Sequence, residues 1–325
     1  MTPDAPEATS RRGGLGLALA SAVTFGTSGT LAKGLFDAGW SAQAAVTVRI
    51  WLAALLLLVP TLLALRGRFR LVARNAGFVL AYGLVPVAGS QWCYFQAVSH
   101  MQVGPALLVE YTAPVAVVLW LWVRRGERPG RRTVLGAFVA LTGLVMVLDL
   151  FSGGTSVSLV GVVWALLAML CVCCYFVLSA HDHTGLPPLV LAGAGLGVGA
   201  LALLVAWAFG LLQWRTSTTA VTYAGHDVAW WVPLVLLGLV SSAIPYVCGI
   251  EASRRLGSRL ASFVALLEVL CAVLFAWALL GELPVLVQAL GGALVLAGVV
   301  LVKLGERPAE VPLELAVLDE VVVAG

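Results

Sequence analysis

Runs of about twenty apolar residues alternate with short polar stretches along almost the whole chain. A bilayer core is about 30 Å thick and a helix rises about 1.5 Å per residue, so each run is long enough to cross one. The pattern predicts ten spans, near 14–33, 42–65, 76–98, 102–123, 132–149, 158–180, 187–211, 230–252, 258–279 and 284–303. Composition agrees: 61% of residues are hydrophobic and 11% charged, against about 25% charged in a soluble protein. The fold expected is an all-α membrane protein. Pro86, Pro114 and Pro245 fall inside spans, which membrane helices tolerate because neighbours satisfy the freed backbone groups.

The polar stretches set the orientation. With the N-terminus in the cytoplasm, sixteen of the nineteen lysines and arginines fall on that side. They include Arg66, Arg68, Arg70 and Arg74, then Arg124, Arg125, Arg128, Arg131 and Arg132, and later Arg254, Arg255 and Arg259. Only Lys33 and Arg215 fall on the other side, and Arg49 lies inside span two. Basic loops stay cytoplasmic, so both termini are expected there. The basic residues sit in loops and the net charge is only +3, which gives no reason to expect a nucleic-acid partner. Scarce lysine and common arginine hint at a GC-rich prokaryotic genome. Ser10-Arg11-Arg12 resembles an export signal and Ala42-Gln43-Ala44 a cleavage site, but the apolar stretch is long for a signal core and many spans follow. Residues 14–33 are therefore read as a retained first span. Residues 1–12 and 305–325 read as cytoplasmic extensions without chemistry.

The two halves resemble each other. Gly126-Glu127-Arg128-Pro129 follows span four, and Gly281-Glu282-Leu283-Pro284 follows span nine, 155 positions later. The same offset pairs Gly136 with Gly291, Gly143 with Gly298, and Gly83-Leu84-Val85 with Gly238-Leu239-Val240. Five spans per half is an odd number, so the second half must enter the membrane the opposite way up. The expectation is ten transmembrane helices as two inverted five-helix repeats, over 13–151 and 157–304. Such repeats place a site at their interface near the midplane.

Two carboxylates lie at similar depth in apolar runs: Glu110 in span four and Glu268 in span nine. A charge at the bilayer centre costs roughly 2.5–3.5 kcal/mol or more, which marks such residues as functional candidates. A protonated or paired carboxyl that merely holds helices together is the alternative. Ala261, Ala265 and Ala272 share the face of Glu268 and leave room for a cavity. Arg49 is able to bind a substrate carboxylate, to neutralise Glu110 or Glu268, or to reach the outer interface along its stem. Gln91, Tyr94, Phe95 and Val98 share one helical face, as a cavity wall or a hydrogen-bonded helix contact. In span eight, Ser241 and Ser242 are placed to bond carbonyls freed by Pro245, and Glu251 to pair with Arg254 and Arg255. Thr27 and Ser28 read as helix packing. So do the interleaved GxxxG pairs of Gly193-Ala194-Gly195-Leu196-Gly197-Val198-Gly199. All six cysteines fall in apolar runs and read as packing residues. His181-Asp182-His183 offers a thin metal site in a loop. No nucleophile–base arrangement or phosphate-binding loop is present, which argues against intramembrane enzyme chemistry and direct ATP drive, and no metal or cofactor is expected.

The chain resembles the EamA branch of the drug/metabolite transporter superfamily over about 13–304. Ten spans in two halves, each with a Gly-Glu junction, carry the likeness. Leu31-Ala32-Lys33-Gly34-Leu35-Phe36, Val109-Glu110-Tyr111-Thr112-Ala113-Pro114 and Ala243-Ile244-Pro245-Tyr246 are similar to the bacterial threonine/homoserine exporters. Where that pattern often has Pro after the Glu of span nine, this chain has Val269, so the sequence dictates no kink there. The resemblance implies a secondary transporter of the bacterial inner membrane that exports small polar metabolites, amino acids first, in exchange for protons. Glu110 and Glu268 would bind the substrate amine or carry protons. Arg49 would pair with a carboxylate, and Gln91, Tyr94, Tyr111 and Tyr246 would line the cavity. Partners would be the substrate, the proton and the lipid, with the protein a monomer or homodimer. Multidrug or amine efflux, with Trp92 and Tyr94 stacking on an aromatic cation, and import on the same fold are alternatives. A non-transporting sensor or assembly subunit is another.

Overall fold

A computed structural model describes residues 5–113, 130–147, 158–179 and 184–305. Pro114, the Gly126–Pro129 junction, His181-Asp182-His183 and the acidic tail beyond Gly305 lie outside the described residues, as do the side chains of Arg11, Arg12, Arg259, Ala261 and Lys303. The first half contains α1 (Ala5–Asp37), α2 (Ala42–Leu65), α3 (Phe69–Arg74), α4 (Ala76–Tyr82), a π-helical turn (Gly83–Gly89), α5 (Ser90–Val98), α6 (Val103–Glu110) and α7 (Arg131–Val147). The second contains α8 (Leu159–Ser179), α9 (Pro188–Ala208), α10 (Trp231–Gly238), a π-helical turn (Leu239–Ala243), α11 (Ile244–Ala265), α12 (Leu267–Leu280) and α13 (Leu286–Gly305).

Among the described residues, five helices are long and apolar enough to span a membrane: Gly13–Asp37, Ala42–Leu65, Ala76–Val98, Pro188–Ala208 and Trp231–Leu256. Leu159–Tyr175, Leu267–Leu280 and Leu286–Val302 are apolar but shorter. The ten expected spans are thus not all counted here. Their outer faces are oily: Leu63, Phe138 and Leu159 are 69%, 70% and 78% exposed. So continuous an apolar exterior suits lipid rather than water.

The expectation of an all-α chain needs one correction. Between α9 and α10, β1 (Val221–Tyr223) pairs antiparallel with β2 (His226–Val228). The turn residues Ala224 and Gly225 both have positive φ, 50° and 77°, as a two-residue hairpin turn of matching twist requires. Alternation of Val221 and Tyr223 about Thr222 is the short signal a span-length search passes over. The hairpin clasps two helix ends. The Tyr223 hydroxyl donates to the Leu31 carbonyl at 2.7 Å, and the Ala224 N–H donates to Leu279 at 2.8 Å. Beside it, Lys33 on α1 pairs with Glu282 after α12 at 3.0 Å. At the other end of the bundle, Glu251 pairs with Arg255 at 2.6 Å.

The 155-residue offset reappears in the backbone. Applied to the π-turn Gly83–Gly89, it gives 238–244, which brackets the second π-turn, Leu239–Ala243. Tyr111, where α6 ends, maps onto Leu266, the residue between α11 and α12. Span nine is therefore interrupted without a proline. At the first interruption Thr112 N–H turns to the Val109 carbonyl, and at the second Val269 N–H turns to Leu266.

Contacts between the halves obey the same exchange. A Cβ on Gly136 would lie 2.6 Å from the Gly298 carbonyl, and one on Gly143 would lie 2.5 Å from that of Gly291. The partners run in opposite sequence order, so α7 and α13 cross antiparallel. Exchanging repeat-related residues turns one contact into the other, the mark of a two-fold relation. Likewise α1 packs on α11 and α12, while α8 packs on α5 and α6. Along α1, Thr27, Ser21 and Gly14 meet Ser241, Pro245 and Leu256 in antiparallel order. Gly26 then meets the Glu268 carbonyl, so the chain has turned back between Leu256 and Glu268. That return delivers Glu268 to mid-bundle.

Candidate functional site

The two repeat-related interruptions carry the two acidic groups. Glu110 is the last residue of α6, and Glu268 lies in the first turn of α12. Both face one cavity of about 100 Å³ between the halves. Its wall comes from α1 (Ala18, Ser21, Ala22, Phe25, Ser28), α5 (Ser90, Gln91, Tyr94), α8 (Val172, Tyr175) and α11 (Tyr246, Gly249, Ser253), with Tyr111 beside Glu110. The structure therefore brings Glu110, Glu268, Gln91, Tyr94, Tyr111 and Tyr246 to one place. Phe95 and Val98 are buried in the adjacent core. Trp92 is not on the wall; its ring pairs with Trp164 at 5.8 Å between centroids.

The two carboxyls have different surroundings. The Tyr111 hydroxyl donates to Glu268 Oε2 at 2.5 Å, linking one half to the other. Among the described residues Glu110 has no hydrogen-bond or ion-pair partner, although only 7% of its surface is exposed. Gln91 Oε1 and Tyr94 Oη are also buried without partners. Tyr246 donates weakly, at 3.4 Å, to the carbonyl of Pro86 in the first π-turn. Phe25, Tyr175 and Tyr246 meet edge to face and give one side of the cavity an aromatic lining.

Arg49 is fully buried but does not line the cavity. Its guanidinium donates to the hydroxyls of Ser28 and Ser242 and to the Ser241 carbonyl, and it lies 5.1 Å over the Phe95 ring. It pairs with no carboxylate among the described residues. The Ser241 carbonyl is available for a local reason: Pro245, four residues on, has no N–H to donate to it. Ser242 donates to Leu237, and Ser241 Oγ meets Thr27 Oγ1 at 2.6 Å. Arg49 thus fastens α2 to α1, α5 and the second π-turn. An ammonium cannot span the acceptors of this planar fork. Arg49→Lys is expected to leave a buried acceptor unpaired, which costs about 1–3 kcal/mol. A lowered melting temperature of the purified protein checks it; unchanged melting rejects the fastening role.

Ser21, Ser253 and Tyr175 reach the cavity without having been singled out by sequence reading, and Ser28, expected in helix packing, reaches it as well. On α1 the signal was present, because Ala18, Ser21, Ala22 and Ser28 lie on one face at helical spacing, small or polar apart from Phe25 between them. The close packing expected of span seven falls on Gly193, Gly195 and Gly199, which meet Thr61, Tyr82 and Val87. Among the described residues, no group of three or more His, Cys, Asp or Glu gathers as a metal site.

A model of the EamA-like transporter family matches the chain twice, over residues 12–149 and 159–304. An uncharacterised transporter of Archaeoglobus fulgidus is 30% identical over 208 residues, 64% of this chain and 70% of its own length. A probable terminal-alkyne amino-acid exporter of Streptantibioticus cattleyicolor is 32% identical over 214 residues, 64% of this chain and 67% of its own. An uncharacterised inner membrane transporter of Salmonella typhimurium is 23% identical over 305 residues, 92% of this chain and 97% of its own. One solved crystal structure overlays 90% of this chain and 96% of its own with a TM-score of 0.59, at 22% identity, a likeness of fold alone.

Proposed function

Because this chain belongs to the EamA-like transporter family, we propose that it is a secondary transporter that exports small polar metabolites, amino acids first, in exchange for protons. In this reading ten spans form two inverted five-helix repeats in a bacterial inner membrane, with both termini in the cytoplasm. The antiparallel crossing of repeat-related glycines on α7 and α13 supports the inversion. The exporter among the relatives supports the substrate class. The observation that carries the proposal is the shared cavity: a carboxylate from each half, both at helix interruptions, with a tyrosine of one half bonded to the acid of the other.

Proton and substrate would occupy this cavity in alternation. A carboxylate that holds a proton facing one side, and releases it to accept substrate from the other, exchanges the two without ATP. Arg49 would act as a positioning residue. It holds Ser28 Oγ as an acceptor at 2.5 Å, which leaves the Ser28 O–H free to donate to a substrate carboxylate. Reconstituted vesicles test the proposal directly. Labelled threonine or homoserine is expected to accumulate about tenfold per exchanged proton under an opposing gradient of one pH unit, since a tenfold proton gradient adds about 1.4 kcal/mol of driving force per proton. Flux indifferent to the gradient removes proton exchange. Absence of flux for every amino acid removes the substrate class.

A further inference from the structure

We propose that Lys33, Glu282 and the Tyr223 hairpin form a gate at one end of the cavity: a polar latch between the two halves that parts and closes again in each transport cycle. This goes beyond the exporter reading above and rests only on the chain being a transporter with its site between the halves. The cavity is not centred in the bundle. On α1 its lining runs from Ala18 to Ser28 within the span Gly13–Asp37, five residues from one end and nine from the other. On α11 it runs from Tyr246 to Ser253, close to the end of the span Trp231–Leu256. Both place it nearer the end where Gly13 and Gly14 meet Arg255 and Leu256. Beyond Ser28 the bundle is packed shut. Leu31, Ala32 and Leu35 are buried, and a Cβ on Gly29 would lie 2.5 Å from the Val103 side chain.

What holds that end shut crosses from one half to the other. Lys33 Nζ on α1 lies 3.0 Å from Glu282 Oε1, and Glu282 Oε2 accepts at 3.4 Å from the Val103 N–H that opens α6. One carboxylate of the second half therefore holds two helices of the first. Gly281 places it, ending α12 with a left-handed φ of 71°. The hairpin adds a second strap. The Tyr223 hydroxyl donates to the Leu31 carbonyl, and its ring seats on Gly34, where a Cβ would lie 2.5 Å from it. Two properties make this a gate rather than a fixed staple. Lys33 and Glu282 keep 25% and 13% of their side-chain surface exposed, so water solvates both charges when they part. The contacts are an ion pair and single hydrogen bonds, which separate and re-form without repacking a core. The α7–α13 crossing is the opposite case, closed backbone against backbone. Inverted repeats alternate access by rocking, which needs one contact between the halves that holds and another that lets go.

Thiol labelling of the full-length protein in right-side-out and inside-out vesicles tests the gate without a known substrate. Ala22→Cys puts a reporter on the cavity wall. A membrane-impermeant methanethiosulfonate is applied from either side, and the label is read by mass on the peptide that carries the reporter. Adding Lys33→Met is expected to speed labelling from the hairpin side at least tenfold and to slow it from the arginine side, because a rocking transporter closes one end as it opens the other. Exchanging the charges, Lys33→Glu with Glu282→Lys, is expected to bring the hairpin-side rate back to within about threefold of the reporter alone. Hairpin-side labelling unmoved by Lys33→Met overturns the proposal. So does an equal rise from both sides, which is loosened packing. Ala18→Cys, on the same wall, is the second reporter should the first fail to fold. Vesicle flux decides the exporter reading separately: amino-acid transport with labelling that ignores Lys33 sinks the gate and leaves the transporter.

Discussion

Glu268→Gln is expected to lower pH-gradient-driven transport by about a hundredfold or more, the low end of what removing a proton-transferring group does to a rate. Exchange of labelled for unlabelled substrate should remain measurable. Gln has nearly the same shape and keeps an oxygen that accepts from the Tyr111 hydroxyl, so the link between the halves at 2.5 Å survives. What it loses is the ability to take and release a proton. In the proposed exchange, net export needs that step at every cycle, whereas substrate exchange needs only that the loaded cavity face each side in turn. The two assays on one vesicle preparation separate coupling from folding. Undiminished gradient-driven transport by the variant would take Glu268 out of the proton path.

The candidate site was only half legible in the sequence. Glu110 and Glu268 stand out because a carboxylate in an apolar run is expensive. Gln91, Tyr94, Tyr111 and Tyr246 follow from span faces and from the family resemblance. Their partners do not follow. Tyr111 and Glu268 are 157 residues apart, and only the two-fold packing of the halves brings them together. Arg49 was read for its charge, yet its role comes from neutral acceptors, one of them a backbone carbonyl freed by Pro245. Hydroxyls such as Ser21 and Ser28 serve equally in helix contacts and in cavities, so their type alone decides nothing. The interruption at Leu266 has no proline to announce it. It became visible only as the counterpart of Tyr111 in the repeat.

The repeat itself leads to the strongest expectation for stability. Gly298→Ala is expected to destabilise the protein by about 2–3 kcal/mol, at the upper end of what one excess methyl in a packed core does. Its Cβ would lie 2.3 Å from the Ala140 nitrogen and 2.6 Å from the Gly136 carbonyl. These are backbone atoms, so no side-chain rotation relieves the clash and α7 and α13 must separate. Gly136→Ala meets the same crossing from the other side, 2.6 Å from the Gly298 carbonyl and from the Val302 nitrogen. Once the helices have moved apart for one methyl, the second finds part of its space already open. The double variant should therefore cost less than the two single costs added, as expected for contacting residues. Gly197 supplies the contrast, in a helix of the same type with nothing within 4 Å of its Cβ position. Gly197→Ala should leave stability unchanged or raise it by up to about 1 kcal/mol through helix propensity. Thermal unfolding of the four purified variants measures all of this. If Gly298→Ala melts with the unmodified protein, α7 and α13 do not meet backbone to backbone, and the two-fold contact that supports the inverted repeat is lost with it.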